Sequence, residues 1–376
     1  MEKNNAINSS EIRLSQLFEK ISVVIEQSRK FVSTAVNIAE VKARYEVGRY
    51  IFEDEQQGGR AAYGKQIIPK LSSILIAKYG DDWTIDTLTR CRKFFQAYQD
   101  ASILATPLPK LSGTDEVVEN EKDINCGNSV AKIQLPRFTL SWSHYLILMR
   151  IKNIEARSFY EVEAAQQQWT VKQLSRQVCS SLYERLALSR NKGDVMRLAC
   201  EGQKMETPDD IIKNPITLEF LGLKPDAAYS ESKLEHAIID KMQQFLLEIG
   251  KGFLFEARQK RFTFDEQNFY VDLVFYNRLL QCYVLIDLKT GKLTHQDLGQ
   301  MQMYVNYYDR YVRQDFEKPT IGILLCEEKN DALVELTLPQ DANIYATQYS
   351  LYLPDKKLLQ AKLKQWIDEY NDLAEQ

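Results

Sequence analysis

Two adjoining stretches, Phe269 to Tyr276 and Cys282 to Leu288, are rich in the aromatic and β-branched residues that strands favour, yet both carry charge. Asp272 lies inside the first, Asp287 inside the second, and Lys289 follows two residues later. Residues two apart in a strand share a face, so Asp287 and Lys289 project together. Asp272 comes within reach of them if the strands pair through a turn at Asn277 and Arg278. Ionised groups on a sheet face are costly unless a cation or a charged partner compensates them. The pattern reads as a metal-dependent phosphodiesterase site, with two carboxylates to hold a divalent cation and a lysine beside the attacking water.

The surrounding pattern predicts a mixed sheet flanked by helices. A helix at about 232–249 precedes strands at 253–264, 269–276 and 282–288. A helix from His295 to Val312 follows, opened by Thr294 and Asp297 as a capping-box variant. Strands at 319–326 and 343–349 and a final helix at 356–373 complete the order. The N-terminal half is different in kind. Helical spacing of apolar residues predicts one long helix or two in tandem over 11–57, then helices at 63–79 and 85–98. Three more helices are expected between 143 and 189. Residues 101–136, with three prolines and an acidic cluster, read as a linker or insertion, and 193–225 as a connector rich in breakers.

At 376 residues the chain is long enough for two domains, and an apolar content of 44% supplies their cores. A net charge of −4 argues against a generally basic surface, but residues 137–192 hold nine Lys or Arg against four acids. Arg150, Lys152, Lys172, Arg176 and Arg185 are candidates there for contacts to nucleic-acid phosphates, with solvated helical faces as the plainer explanation. The six cysteines are scattered and the histidines number three, which argues against a structural zinc site and for reduced thiols. With no signal-peptide pattern and no apolar run near ~18 residues, a cytoplasmic protein with no membrane contact is expected.

Phosphodiester hydrolysis needs a poised water and neutralised charge on the reacting phosphate, which Mg²⁺ or Mn²⁺ on hard oxygen ligands supplies. Asp272 and Asp287 are the expected ligands, with the Leu288 carbonyl as a third. Lys289 would orient the water and stabilise developing charge. Glu235 could add a ligand, directly or through water, although Ser232 and Glu235 also have capping-box spacing. Gln300 and Tyr304, four apart on one helical face, could reach the same place, with core packing as the alternative. His236 and His295 are read as bystanders. Gly59 to Lys65 has P-loop spacing, but a polar helix end precedes it and Gln66 follows, so nucleotide binding is not expected. Trp83 to Phe95 is compatible with a helix-turn-helix-like reader, with helical packing as the simpler account.

Glu235, Asp272, Asp287, Lys289, and the pair Gln300 and Tyr304 together resemble the motif of the PD-(D/E)XK nuclease superfamily. The chain as a whole, outside 101–136, resembles the YhcG-like bacterial proteins, through Phe269 to Tyr276, Gly299 to Tyr304 and Gly322 to Cys326 in its second half. Leu140 to Tyr145 and Trp169 to Arg185 carry the resemblance in the first. Val271 stands in place of the superfamily's proline. Asp287 stands where this subfamily more often has glutamate, so its carboxylate sits one methylene back.

The resemblance implies an α+β multidomain chain. An all-α N-terminal domain (1–192) and a connector (193–228) would precede a restriction-endonuclease-like α/β domain (229–376). It implies an Mg²⁺-dependent endonuclease with metal carboxylates at Asp272 and Asp287, a catalytic Lys289, and products bearing a 5′-phosphate and a 3′-hydroxyl. The expected partner is nucleic acid, DNA before structured RNA. A homodimer, or a protein partner engaged through the helical half, is compatible with this organisation. The rival is a non-catalytic nucleic-acid-binding or scaffold protein on a decayed nuclease fold.

Overall fold

The computed structural model describes residues 2–57, 61–99, 138–188, 192–213, 215–223, 229–339 and 342–374. The chain divides into two compact units, Met1–Leu174 and Ser175–Gln376. The predicted linker at 101–136 lies outside the described residues.

The first unit is helical. Its helices are α1 (Glu2–Gln57), α2 (Ala61–Tyr79), α3 (Ile85–Tyr98), α4 (Trp142–Leu148), α5 (Ile154–Gln166) and the start of α6 (Val171–Cys179). Thr84 caps α3 by accepting from the Thr87 N–H, and Leu88, Cys91, Phe94 and Tyr98 form its buried stripe. That stripe accounts for the basic segment from 83 to 95 as a packing helix. Gly48 lets α1 cross α3 closely, since a Cβ there would lie 2.1 Å from the Cys91 carbonyl oxygen. Phe94, Phe138, Trp142 and Tyr145 surround the crossing, and the Tyr98 and Tyr145 hydroxyls both donate to the Glu161 carboxylate. The residues before the P-loop-like stretch belong to α1, a helix rather than a strand.

The second unit contains the predicted mixed sheet. Its strands are β1 (Ile216–Thr217), β2 (Phe253–Phe264), β3 (Gln267–Asn277), β4 (Cys282–Lys292), β5 (Ile321–Glu328) and β6 (Ile344–Ser350). The order across the sheet is β1-β6-β5-β4-β3-β2. The β2/β3 and β3/β4 pairs are antiparallel, and β4/β5, β5/β6 and β1/β6 are parallel. The helices here are α7 (Leu182–Leu188), α8 (Lys192–Glu201), α9 (Glu231–Asp240), α10 (Met242–Ile249), α11 (His295–Tyr307), α12 (Asp331–Thr337) and α13 (Lys356–Ala374). No helix among the described residues is long and apolar enough to cross a membrane.

Both faces of the sheet are covered, which is why β4 and β5 read as nearly unbroken apolar runs. One core packs Leu234, Ile238, Phe245 and Ile249 of α9 and α10 against Leu273, Val284, Ile286 and Ile323. The other packs Leu298, Met301, Tyr304 and Val305 of α11 against Val274, Leu285 and Leu324. At Gly322 a Cβ would come within 2.7 Å of Met301, so glycine sets how closely α11 lies on β5. The expected turn at Asn277 and Arg278 is present: the Asn277 side-chain carbonyl accepts from the Leu279 and Leu280 N–H groups.

Several local expectations change. The helix expected over 232–249 is two, because the chain leaves helical geometry at Lys241 (φ −116°, ψ 29°). The connector contains α8 and β1, and four helices rather than three fall between 142 and 188. The division between units comes earlier than residue 192. Arg176 and Arg185 side chains bond to Glu248 of α10, which ties the end of α6 and all of α7 to the second unit.

Candidate active site

β3 and β4 are paired from Asn277 opposite Cys282 as far as Leu273 opposite Ile286. Beyond that point the strands part at Asp272. The Asp272 side chain takes over where the backbone ladder stops, its Oδ2 accepting from the Leu288 N–H at 2.8 Å. Leu288 sits between Asp287 and Lys289, so this one bond fixes all three charged residues at the same end of the sheet. Asp287 and Lys289 share a face of β4 with Leu285, the face covered by α11. Lys289 Nζ is 2.9 Å from Asp287 Oδ2 and 3.5 Å from Asp297 Oδ1, the same Asp297 that closes the capping box of α11 with Thr294.

The electrostatics of this cluster are strained. Asp287 is 3% exposed, and burial, reinforced by the nearby Asp272 charge, pushes its carboxyl above the ordinary carboxylate range despite Lys289. Burial alone would lower the Lys289 ammonium, but Asp287, with Glu231 and Asp297, outweighs it and holds the pKa well above the usual lysine value. The lysine is therefore a fixed cation.

Glu235 reaches the cluster from α9. The capping alternative is overturned: the residue that caps α9 is Ser230, whose side chain accepts from the Lys233 N–H, while Ser232 and Glu235 lie inside the helix. Glu235, 3% exposed, accepts from Gln259 Nε2 at 2.6 Å, and the same nitrogen donates to Asp272 Oδ1 at 2.8 Å. Gln259 is the site residue that reading the sequence missed. Its backbone has φ 46°, a left-handed conformation costing a non-glycine residue about 1–3 kcal/mol. Nothing in its residue type signals this; the only clue is its place in the strand preceding Asp272.

Gln300 and Tyr304 lie on α11, and the Gln300 amide donates to the Tyr304 hydroxyl. Tyr304 is 1% exposed and packs edge-on to Phe262, so it is a core residue as well as a neighbour of the site. Burial raises its hydroxyl pKa, and the Asp287 and Asp272 charges raise it further. His236 accepts or donates at Ser232 and stands 3.3 Å from Arg258, while among the described residues no hydrogen bond or ion pair ties His295 to the cluster.

The donor set suits a hard divalent cation. Two buried carboxylate oxygens, Asp287 Oδ2 and Glu235 Oε1, have no hydrogen-bond partner, although Lys289 and Arg258 lie at 2.9 and 3.3 Å from them without hydrogen-bond alignment. Among the described residues, no three His, Cys, Asp or Glu side chains form a group that could hold a metal. The available side-chain set is thus the pair Asp272 and Asp287, with Glu235 held off by the Gln259 amide and main-chain oxygen or water to complete it.

The five basic candidates separate. Arg150, Lys152 and Lys172 are exposed in the helical unit. Arg176 and Arg185, expected at nucleic-acid phosphates, turn instead into the second unit. Arg185 has a side chain 0% exposed, bonded to Glu248, Ser180 and the Pro215 carbonyl. Arg176 is clasped between Glu248 and Glu219 and donates to the Thr217 carbonyl. Glu248, with no free face, drew both arginines inward, and only the tertiary pairing reveals it.

Comparisons with known proteins bear on the family of the chain. A family model described as the YhcG PDDEXK nuclease domain matches residues 209–364, and one described as the DUF1016 N-terminal domain matches 20–185. Two solved structures resemble part of the chain, each over 35% of it. A repair endonuclease from Pyrococcus abyssi is 18% identical, over 50% of its own chain, with a TM-score of 0.23. EndoMS in complex with double-stranded DNA is 17% identical, over 48% of its own chain, with a TM-score of 0.25. Likenesses this slight carry no weight for the site. The curated protein "Putative nuclease YhcG" of Escherichia coli (strain K12) is 35% identical over 350 residues, 93% of each chain. With both family models in sequence and that likeness running nearly end to end, the chain belongs to the YhcG family of PDDEXK nuclease-domain proteins.

Proposed function

We propose that this protein is a metal-dependent endonuclease that hydrolyses phosphodiester bonds in DNA. The observation that carries the reading is the bond from the Leu288 N–H to Asp272, which holds Asp272 against the ion pair of Asp287 and Lys289. Two hard carboxylates and a permanent ammonium at one sheet end are what hydrolysis of a charged diester requires.

Asp272 and Asp287 would hold the cation, Mg²⁺ or Mn²⁺, with Glu235 acting through the Gln259 amide or a water. When bound, such a cation polarises the phosphate and lowers the pKa of a coordinated water. Lys289 is protonated, so it serves as a donor: it orients the attacking water and stabilises charge gathering on the phosphoryl oxygens. It does not take the water's proton. Water adds to phosphorus as the opposite P–O bond breaks, and the proton the water gives up ends, by way of solvent, on the departing 3′ oxygen, leaving a 5′-phosphate and a 3′-hydroxyl. The buried side chains of β4 and α11 keep bulk water from Asp287 and strengthen its hold on Lys289.

In the helical unit, Arg150 lines a groove with Arg90 and Lys93, and Lys152 and Lys172 are exposed nearby in sequence. This unit is proposed to engage nucleic acid or a protein partner through these cations. Mg²⁺ titration by calorimetry, beside a cleavage panel of duplex, branched and single-stranded DNA and tRNA, tests the whole reading. Binding in the wild type that Asp272→Ala abolishes, with cleavage of at least one substrate, is expected. A chain that binds no divalent cation and cuts nothing would leave the non-catalytic scaffold as the better description.

A further inference from the structure

The hairpin of β2 and β3 runs on beyond the point where β4 stops pairing with β3. Residues 259–272 therefore form a two-stranded ribbon that begins at Asp272. Its tip turns through Asp265 and Glu266, both with positive φ (48° and 61°), the conformation a two-residue hairpin turn requires. One face of the ribbon is anchored. Phe262 is 7% exposed, stacks on Phe269 and on Tyr307 of α11 at centroid distances of 5.4 and 4.0 Å, and Val271 is fully buried.

The opposite face is open and ordered. From Asn268 to Val271 the residues alternate, so Tyr270 and Asn268 lie on the side away from Val271 and Phe269. On β2, Arg261 and Thr263 lie away from Phe262, and the alternation breaks beside them at Gln259 (φ 46°) and Asp272, where Val271 joins the core under α11 and Leu273 the opposite one. Cross-strand pairs line up these residues in a stripe. Gln259 bonds to Asp272, Arg261 pairs with Tyr270, and Thr263 pairs with and donates to Asn268. Tyr270 is 45% exposed, Arg261 is exposed and has no partner among the described residues, and no acid interrupts the stripe until the turn.

We infer that this stripe carries an unpaired nucleotide strand into the site, with a base on the Tyr270 ring and a backbone phosphate on Arg261. This rests on the nuclease reading and adds the substrate class to it. An aromatic ring beside a free guanidinium on a flat ribbon fits a splayed base and its phosphate. A duplex keeps its bases stacked inside and offers the ring nothing to stack on. The DNA taken at the cut would be single-stranded, frayed or branched.

The test is fluorescence anisotropy of the full chain in EDTA, with a labelled single strand and a duplex of the same sequence. Tyr270→Ala should weaken single-strand binding about fivefold or more, with its salt dependence unchanged. Tyr270→Phe, which keeps the ring, should bind as the wild type does. Arg261→Ala should weaken binding and flatten the salt slope by about 0.7. Calorimetric Mg²⁺ affinity should not change in either variant.

Wild-type affinity in Tyr270→Ala and Arg261→Ala overturns the inference, as does a Tyr270→Phe loss equal to that of Tyr270→Ala, or a wild type that binds no single strand. Binding that depends on Tyr270 in a chain that cleaves nothing with Mg²⁺ would sink the hydrolytic reading and leave the stripe standing. Cleavage indifferent to both residues would do the reverse.

Discussion

Two of the places where the second unit buries charge are treated in opposite ways. Around Glu248 the account is closed. Its Oε1 accepts from Arg185 at 2.6 Å and the Thr217 N–H at 3.0 Å, and its Oε2 accepts from Arg176 at 2.8 Å. Burial alone would raise that carboxyl, but the charges of Arg185, Lys213 and Arg176 prevail and hold it at about 2. Around Asp287 the account is left open: burial prevails over Lys289, the carboxyl is pushed up, and one oxygen lacks a hydrogen bond. Buried charge with every partner supplied locks α7, α10 and the β1 segment together. Buried charge that its one cationic neighbour does not offset is what a binding site looks like.

This contrast can be broken experimentally, the largest effect coming first. Glu248→Ala strands Arg185 in the core and should cost about 3–5 kcal/mol of stability in denaturant unfolding. An effect under 1 kcal/mol would mean the network contributes no more than surface pairs do, about 0–1 kcal/mol. Lys289→Ala should lower cleavage by about 10²–10³-fold while calorimetry shows Mg²⁺ binding retained. Cleavage at the wild-type rate would remove the lysine from the mechanism.

Gln259→Ala should weaken Mg²⁺ binding by about 10–100-fold, the usual cost of losing a group that orients metal ligands. Unchanged affinity would make its two bonds incidental. Asp287→Asn should leave the metal-free protein as stable or more stable by about 1 kcal/mol, opposite in sign to the Glu248 change. A large destabilisation there would erase the distinction between the two clusters.

The last test is of pH dependence. Glu248 has a folded pKa of about 2 against an ordinary value of 4.5, so the unfolded chain binds the proton more readily. Its stabilisation is complete above about pH 4.5 and is lost as pH falls towards 2. Glu248→Gln should flatten the acid limb of a stability–pH curve measured over that window. A wild-type slope in the variant would assign acid sensitivity to other carboxylates.

Much of the site was legible because strand periodicity is short-range. The two-residue spacing of Asp287 and Lys289, and an Asp in the run before them, were enough to expect three charges together. The helix at 85–98 followed from apolar spacing, and the start of the one at His295 from its cap, for the same reason; that helix was expected to run to Val312, and its α-helical part ends at Tyr307. What misled was equally local. Ser232 and Glu235 have the spacing of a cap, yet the residue that caps the helix is Ser230, two positions earlier. Arg176 and Arg185 look like a basic surface because the carboxylate that neutralises both is more than 60 residues away.

The order of residues by itself determined most of the long strands and helices, that a carboxylate pair and a lysine would share one sheet end, and which family the pattern resembles. Only the tertiary structure decided that Gln259 joins Glu235 to Asp272, that two arginines turn inward, and that the β2–β3 ribbon shows Tyr270 and Arg261 beside the site. The reason is that alternation along a strand repeats every two residues and is written in neighbouring positions. Which distant charge meets which depends on how whole elements pack.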